Sequence, residues 1–243
     1  RAGITHHLID VVEPSDDYTV SRFANDAAPV LERLETDGVV PILVGGTGLY
    51  VRAVVDTFEI PGQFPAARSE MEAEPDTEAL HRRLAELDPL AATRMEPSNR
   101  RRIVRALEVT VGSGRPFSSY GPGVDAYPPT RFCQVGLDID RPILDNRIEA
   151  RYQALVKAGF LDEVARLAEG SLSSTAGQAL GYRELLGHLA GHSTLDEALD
   201  EAIRRTRRFA RRQQRWFRRD PRIAWFEATA GDLIDQVEAH WLS

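Results

Sequence analysis

Residues 39–50 read Val-Val-Pro-Ile-Leu-Val-Gly-Gly-Thr-Gly-Leu-Tyr. The unbroken apolar run 39–44 predicts a strand covered on both faces, as in a parallel sheet. The glycines that follow predict a tight loop opening a helix over about 49–55, with backbone N–H groups and the Thr47 hydroxyl free to approach an anion or a reacting oxygen. Taken alone, such a turn also serves plain packing. It is not a Walker A loop, because G-x-x-x-x-G-K-[ST] occurs nowhere in the chain and its one lysine, Lys157, follows no such glycine pattern.

On the amino-terminal side, Thr19 can cap a helix running to about Asp37, with Phe23, Ala27, Val30, Leu31 and Leu34 on one face and Gly38 as its stop. Residues 4–12 read as a strand or extended segment. Helix, strand, glycine loop and helix in succession are α/β grammar. Composition then shifts. Residues 59–77 are rich in proline, alanine and acid, and 112–130 in glycine, proline and serine. Two helices, about 77–87 and 97–111, lie between them, so 59–129 reads as a helical insertion into an α/β body formed by 1–58 and 130–243. Residues 131–139 resume the sheet. Helices are expected at 141–158, 160–169, 177–190 and 194–219, followed by a short strand at 223–226 and a tail helix.

The chain has 243 residues, 42% of them hydrophobic and 28% charged, enough to bury a core without a metal or disulfide staple. The single cysteine, Cys133, excludes internal disulfides and multi-cysteine zinc sites and fits a reducing cytoplasm. No apolar run approaches the roughly 18–20 residues of a membrane span. The net charge of −7 hides an asymmetry. Between Arg204 and Arg222 ten arginines face one acid, a local +9 that leaves −16 for the remainder. One dense basic block in an acidic chain points to a localised polyanion site.

Three segments could carry that chemistry. Asn99 to Leu107 places Arg101 and Arg105 on one helix face with Arg102 beside them, while Ile103, Ala106 and Leu107 pack inward. The helix over 194–219 combines an apolar-leaning stripe (Leu199, Ile203, Thr206, Phe209, Gln213, Trp216) with recurring arginines on another face, suiting a core on one side and a polyanion on the other. Gln178-Ala179-Leu180-Gly181-Tyr182-Arg183 offers side chains for a base or phosphate, with Gly181 permitting close approach. Adjacent His6 and His7 would point to opposite faces of a strand and share no metal. Asp138 and Asp140, before Arg141-Pro142, read as turn or capping residues.

In order along the chain, Val44-Gly45-Gly46-Thr47-Gly48-Leu49-Tyr50, Asp88-Pro89 with Asn99 to Leu107, Gln178 to Arg183, and Thr206 to Gln213 resemble the bacterial-type tRNA dimethylallyltransferases, as do His6 to Asp10 and Tyr18 to Phe23. The resemblance implies a P-loop-NTPase-like parallel-sheet core with a helical insertion domain. It also implies transfer of a dimethylallyl group from its diphosphate to N6 of the adenine next to the tRNA anticodon (position 37), in the cytoplasm, by a monomer using Mg²⁺. Carried onto this sequence, it places Thr47 beside the reacting centre and makes Arg183 and Arg207 ligands of diphosphate or a nearby phosphate. It gives tRNA contacts to Arg68, Arg101, Arg102, Arg105, Gln178, Gly181, Tyr182, Arg183, Thr206, Arg208, Arg211, Arg212 and Gln213. Members of the family carry a G-P-T-x-S-G-K-[ST] loop and then an Asp-Ser segment whose Asp is the expected general base. Neither pattern occurs here, so the chain reads as a fragment beginning beyond both, with no metal ligand of its own. An adenylate prenyltransferase acting on AMP or ADP, and a non-catalytic tRNA-binding remnant, are the alternatives.

Overall fold

The computed structural model describes residues 3–242. They form two compact units, each described separately.

The first unit holds the residues up to Thr19, Pro29–Gly48 and those from Pro129 on. Its sheet is a parallel pair, β1 (Gln134–Asp138) and β2 (Ile223–Glu227), in register from Gln134 opposite Ile223 to Asp138 opposite Glu227. Gly136 lies opposite Trp225, and a Cβ there would stand 2.7 Å from the indole ring. The helices between the strands are α7 (Arg141–Lys157), α8 (Phe160–Ala168), α9 (Tyr182–Leu189) and α10 (Leu195–Phe217). Parallel strands need such a crossover. Ile148, Tyr152, Phe160, Val164, Leu185, Ala198 and Ala202 close a core among these four helices. The start of α10 is a capping box: the Thr194 hydroxyl accepts the Glu197 N–H, and Glu197 accepts the Thr194 N–H at 2.8 Å. A terminal helix, α11 (Leu233–Trp241), follows β2.

The second unit comprises Val20–Ala28 and Leu49–Pro128. Its helices α3 (Pro65–Ala73), α4 (Thr77–Leu87), α5 (Pro89–Thr93) and α6 (Arg100–Ser113) enclose Met71, Leu80, Leu84, Ala91, Ile103, Ala106 and Leu107. Three of the four starts are capped by a side chain, while α3 opens on Pro65 without one. Asp76 accepts the Glu78 N–H, Asp88 the Ala91 N–H, and Asn99 the Arg102 N–H. Asp88 is buried and also takes the Ser118 N–H and hydroxyl, each at 2.7 Å, which fastens the 3₁₀ turn at Phe117–Tyr120. Buried Arg52 pairs with Asp56, donates to the Val124 and Ala126 carbonyls, and stacks on the rings of Phe58 and Tyr127. This ties down the segment before Pro128.

Helices α1 (Val20–Thr36) and α2 (Gly48–Val55) fall close to their expected places. Three expectations need correction. Residues 39–47 form no strand, and Val40, Ile42 and Val44 are 58%, 84% and 87% exposed. A strand requires a neighbour for its N–H and C=O groups, and among the described residues β1 and β2 pair only with each other. Residues 4–12 are also strandless, because Leu8 and Asp10 adopt positive φ (58° and 57°) and bend the chain. The helix expected from 177 begins at Tyr182, because Gly181 takes φ +89° after a 3₁₀ turn at Ala176–Gln178.

Candidate functional site

The glycine loop lies against α10. The Gln213 amide Nε2 donates to the Gly46 carbonyl at 2.6 Å. A Cβ on Gly46 would overlap that amide, and one on Gly48 would overlap the Trp216 indole. The glycines are therefore required by close approach of a helix. Between them Thr47 is exposed, and its hydroxyl has no partner among the described residues. The local physics is simple: two residues without side chains let the loop close on Gln213 and Trp216, and the one side chain between them is left free.

The basic tract of α10 divides into paired ends and an unpaired middle. Arg204 and Arg208 both bind Glu201, Arg205 binds buried Glu184, and Arg218 binds Asp138. Burial pushes the Glu201 carboxyl upward, but hydrogen bonding and charge from Arg204, then the charges of Arg208 and Arg205, outweigh it and hold it below its ordinary value. Arg207 faces α7, donating to the Asp145 carbonyl at 3.1 Å and to Glu149 at 2.9 Å. Arg211, Arg212 and Arg215 form no ion pair among the described residues; Arg212 lies 5.9 Å from the centroid of Phe209. Gln213 is six residues beyond Arg207, about 9 Å along the helix axis. The structure thus brings Gln213 and Trp216 to the Thr47 loop and holds Arg207 on α7.

Around α9, exposed Gln178 and Arg183 flank a packed centre. Gly181 is buried, and a Cβ on it would meet Phe160 at 3.0 Å and Tyr152 at 3.2 Å. Its N–H donates to Glu184 at 2.9 Å, and Glu184 in turn holds Arg205, so the start of α9 is clasped to α10. The Tyr182 ring packs edge-on against Phe160 and its hydroxyl donates to Glu163 at 2.6 Å. Burial, and then that hydrogen bond to Glu163, push the phenol up to about 12. Thr206 donates to the Ala202 carbonyl and sits 2.9 Å from the Tyr152 hydroxyl. Gly181, Tyr182 and Thr206 therefore belong to the packing that shapes this face, while Gln178, Arg183, Arg211 and Arg212 are open to solvent.

In the second unit, Arg105 donates to Glu108 at 2.6 Å and to the Pro61 carbonyl at 2.8 Å. Glu108, 1% exposed, also accepts the Phe64 N–H at 2.9 Å and faces Arg68 at 3.5 Å, while Arg68 pairs with Glu72 as well. Arg101 and Arg102 are exposed and unpaired among the described residues. Sequence reasoning passed over Glu108 and Glu184, and placed Trp216 only in the apolar stripe of its helix. The i, i+3 spacing of Arg105 and Glu108 signals the first pair. The contact of Trp216 with the loop has no local signature.

A family profile described as IPP transferase matches residues 1–220. This chain belongs to the IPP transferase family. Within it, the chain is 48% identical to a tRNA dimethylallyltransferase of Nocardioides sp., covering 98% of this chain and 78% of that protein. It is 47% identical to that of Thermobifida fusca, covering 98% and 76%. Among solved structures it is similar to the full-length tRNA isopentenylpyrophosphate transferase of Bacillus halodurans, with TM-score 0.68 and 35% identity over 99% of this chain and 78% of that one. A eukaryotic dimethylallyltransferase described as acting on tRNA shares the fold alone, with TM-score 0.76 at 23% identity over all of this chain and 64% of that one. The fold of this IPP transferase is thus the P-loop-like α/β fold of its relatives, helices together with a small parallel sheet. Among the described residues no group of three or more His, Cys, Asp or Glu side chains is placed to hold a metal ion. Among the described residues no helix is long and apolar enough to cross a membrane.

Proposed function

We propose that this IPP transferase is a tRNA dimethylallyltransferase, acting in the cytoplasm as a monomer on the anticodon stem-loop. The observation that carries this reading is the Thr47 loop seated on α10, whose middle arginines form no ion pair among the described residues, in a chain 48% identical to an enzyme of that name.

The acceptor amine is conjugated with the adenine ring and is a weak nucleophile. Reaction therefore depends on an allylic carbon that becomes electrophilic as its bond to diphosphate breaks. The N6 lone pair forms the new C–N bond, the C–O electron pair departs with diphosphate, and N6 loses a proton to a base. A site for this step must align nitrogen and carbon, stabilise the departing charge, and exclude water that would capture the cation. Thr47, exposed and free to donate, is assigned to the bridging oxygen or the acceptor amine. Arg183 and Arg207 are assigned to phosphate oxygens, with Arg207 exchanging Asp145 and Glu149 for them. Arg101, Arg102, Arg208, Arg211, Arg212, Gln178 and Gln213 are assigned to tRNA, and Arg68 and Arg105 reach it only by loosening their hold on Glu108. The adenine leaves its stack to react. The diphosphate loop and the general base are assigned to a segment with the family's G-P-T-x-S-G-K-[ST] and Asp-Ser patterns, and no step here is routed through Mg²⁺.

The test joins that segment from a relative to this chain and supplies dimethylallyl diphosphate with either an anticodon stem-loop or AMP. Prenylated stem-loop is expected, with AMP inert. Prenylation of AMP in preference to RNA would show an adenylate enzyme, and tight RNA binding with no product from either acceptor would show a non-catalytic RNA binder.

A further inference from the structure

The second unit carries a groove of ≈ 490 Å³ between the body of α4, the segment after α5, and the start of α6. That volume lies within the range of small-ligand sites, about 300–1,000 Å³. Its floor is apolar and fixed: Met95 and Ala92 are buried, at 9% and 4% exposure. Its rim is polar, and each polar group has spare capacity. The His81 Nε2 lies 3.2 Å from the Ala92 carbonyl. A carbonyl only accepts, so Nε2 carries the proton of this contact, and Nδ1 makes no hydrogen bond among the described residues. Asn99 spends its Oδ1 on capping Arg102 N–H, which leaves the two amide hydrogens as donors.

Apart from Arg101, which is exposed and unpaired among the described residues, the arginines of α4 and α6 outside the groove are bound. Arg82 binds Asp76, Arg83 binds Glu70, Arg105 binds Glu108, and Arg100 spends itself on the carbonyls of Glu72, Glu74 and Pro75. Arg94 and Arg102, the two that line the groove, are exposed and make no ion pair among the described residues. Glu96 is the one carboxylate of the lining. The cavity of ≈ 300 Å³ in the first unit differs: Glu149 and Asp200 line it, and two of its three arginines, Arg204 and Arg207, are already bound to acids.

An apolar floor, a rim of free donors and one acceptor, and two unpaired guanidinium groups match the parts of a single nucleotide. Single-stranded RNA is read by stacking splayed-out bases on aromatic or guanidinium planes, here those of His81, Arg94 and Arg102, bonding their edges, and pairing phosphate with arginine. We propose that this groove binds one unstacked nucleotide of the RNA substrate, with its base over Met95 and Ala92, its edge at His81 Nδ1 and the Asn99 amide, and its phosphate at Arg94 and Arg102. The proposal rests on the tRNA reading above. It adds His81, Arg94, Met95 and Asn99 to the RNA-facing residues and gives Arg102 a specific partner.

Binding of a labelled anticodon stem-loop to the chain is measured by fluorescence anisotropy between 50 and 200 mM salt. Arg94→Ala and Arg102→Ala are each expected to weaken binding several-fold and to lower the slope of log K against log salt by about 0.7, the value for one single-stranded phosphate contact. Asn99→Asp, which keeps the cap acceptor but removes the donors, should weaken binding with the circular dichroism unchanged. Glu96→Gln should strengthen it. Arg82→Ala, which removes an exposed but paired arginine of α4, serves as the control and should leave the slope unaltered. If the wild-type chain binds the stem-loop and the Arg94→Ala, Arg102→Ala double variant keeps the wild-type slope and affinity, the groove assignment is wrong and the tRNA reading stands. If the wild-type chain binds no stem-loop, the tRNA reading falls and the groove assignment with it.

Discussion

Thr47 owes its exposure to the residues on either side of it. Gly46 and Gly48 each occupy space that a Cβ would share with Gln213 or Trp216. The two positions differ in tolerance. The Gln213 amide is the flexible end of its side chain, whereas the Trp216 indole is a rigid ring. Gly48→Ala is therefore expected to cost about 1–3 kcal/mol in urea unfolding, the range for overpacking, and Gly46→Ala less. Glu184 is a second residue with more than one task. Glu184→Ala leaves the Gly181 N–H and Arg205 without their partner, and a loss of about 1–3 kcal/mol is expected. Tyr182 gives a pH signature. Its folded-state pKa lies above its unfolded value, so the unfolded chain releases the proton first. The contribution is whole below pH 10 and declines as pH rises toward about 12. In Tyr182→Phe the alkaline decline between these values should flatten, as read by unfolding midpoints against pH.

At the scale of elements, the sequence announced most of the helices because their ends are written in local chemistry. The Thr194–Glu197 capping box, the Asn99 and Asp88 caps, and Gly114 at φ +70° after α6 are all readable without a fold. Burial of Ile103, Ala106 and Leu107 also follows from helical spacing alone. The run 39–44 went astray because an apolar pattern states what a segment prefers to contact, while a strand also needs a neighbour to bond with. Only pairing across the fold supplies that. Ile42→Lys and Val44→Lys should consequently change the stability of this chain by no more than about 0.5 kcal/mol, whereas Leu107→Ala, in the core of the second unit, should cost about 2–5 kcal/mol. Chemical denaturation of the three variants separates the cases.

Over the whole molecule, charge is distributed unevenly in two ways. The tract 204–222 stands out in composition, but the structure divides it further, binding Arg204, Arg205, Arg207, Arg208, Arg218 and Arg222 to acids and leaving Arg211, Arg212 and Arg215 without an ion pair among the described residues. Helical spacing signals the pairing of Arg204 with Glu201, but composition could not locate the rest of this division, because Asp138, Asp145, Glu149 and Glu184 come from other helices and from a strand end. The same holds for Thr47, which the glycine pattern singled out while its seat on Gln213 and Trp216 emerged only from the packing of a loop on a helix far away in sequence.

The central claim is that the Thr47 hydroxyl acts on the reacting atoms. Its most direct test is the single-turnover rate of dimethylallyl transfer to an anticodon stem-loop by this chain joined to the diphosphate-loop segment, comparing Thr47, Thr47→Ser and Thr47→Ala. Loss of one donor at a developing charge lowers rate by about 10²–10³-fold, so the alanine variant should fall by that factor at unchanged RNA affinity while serine retains most of the rate. An alanine variant as fast as the parent would contradict the assignment.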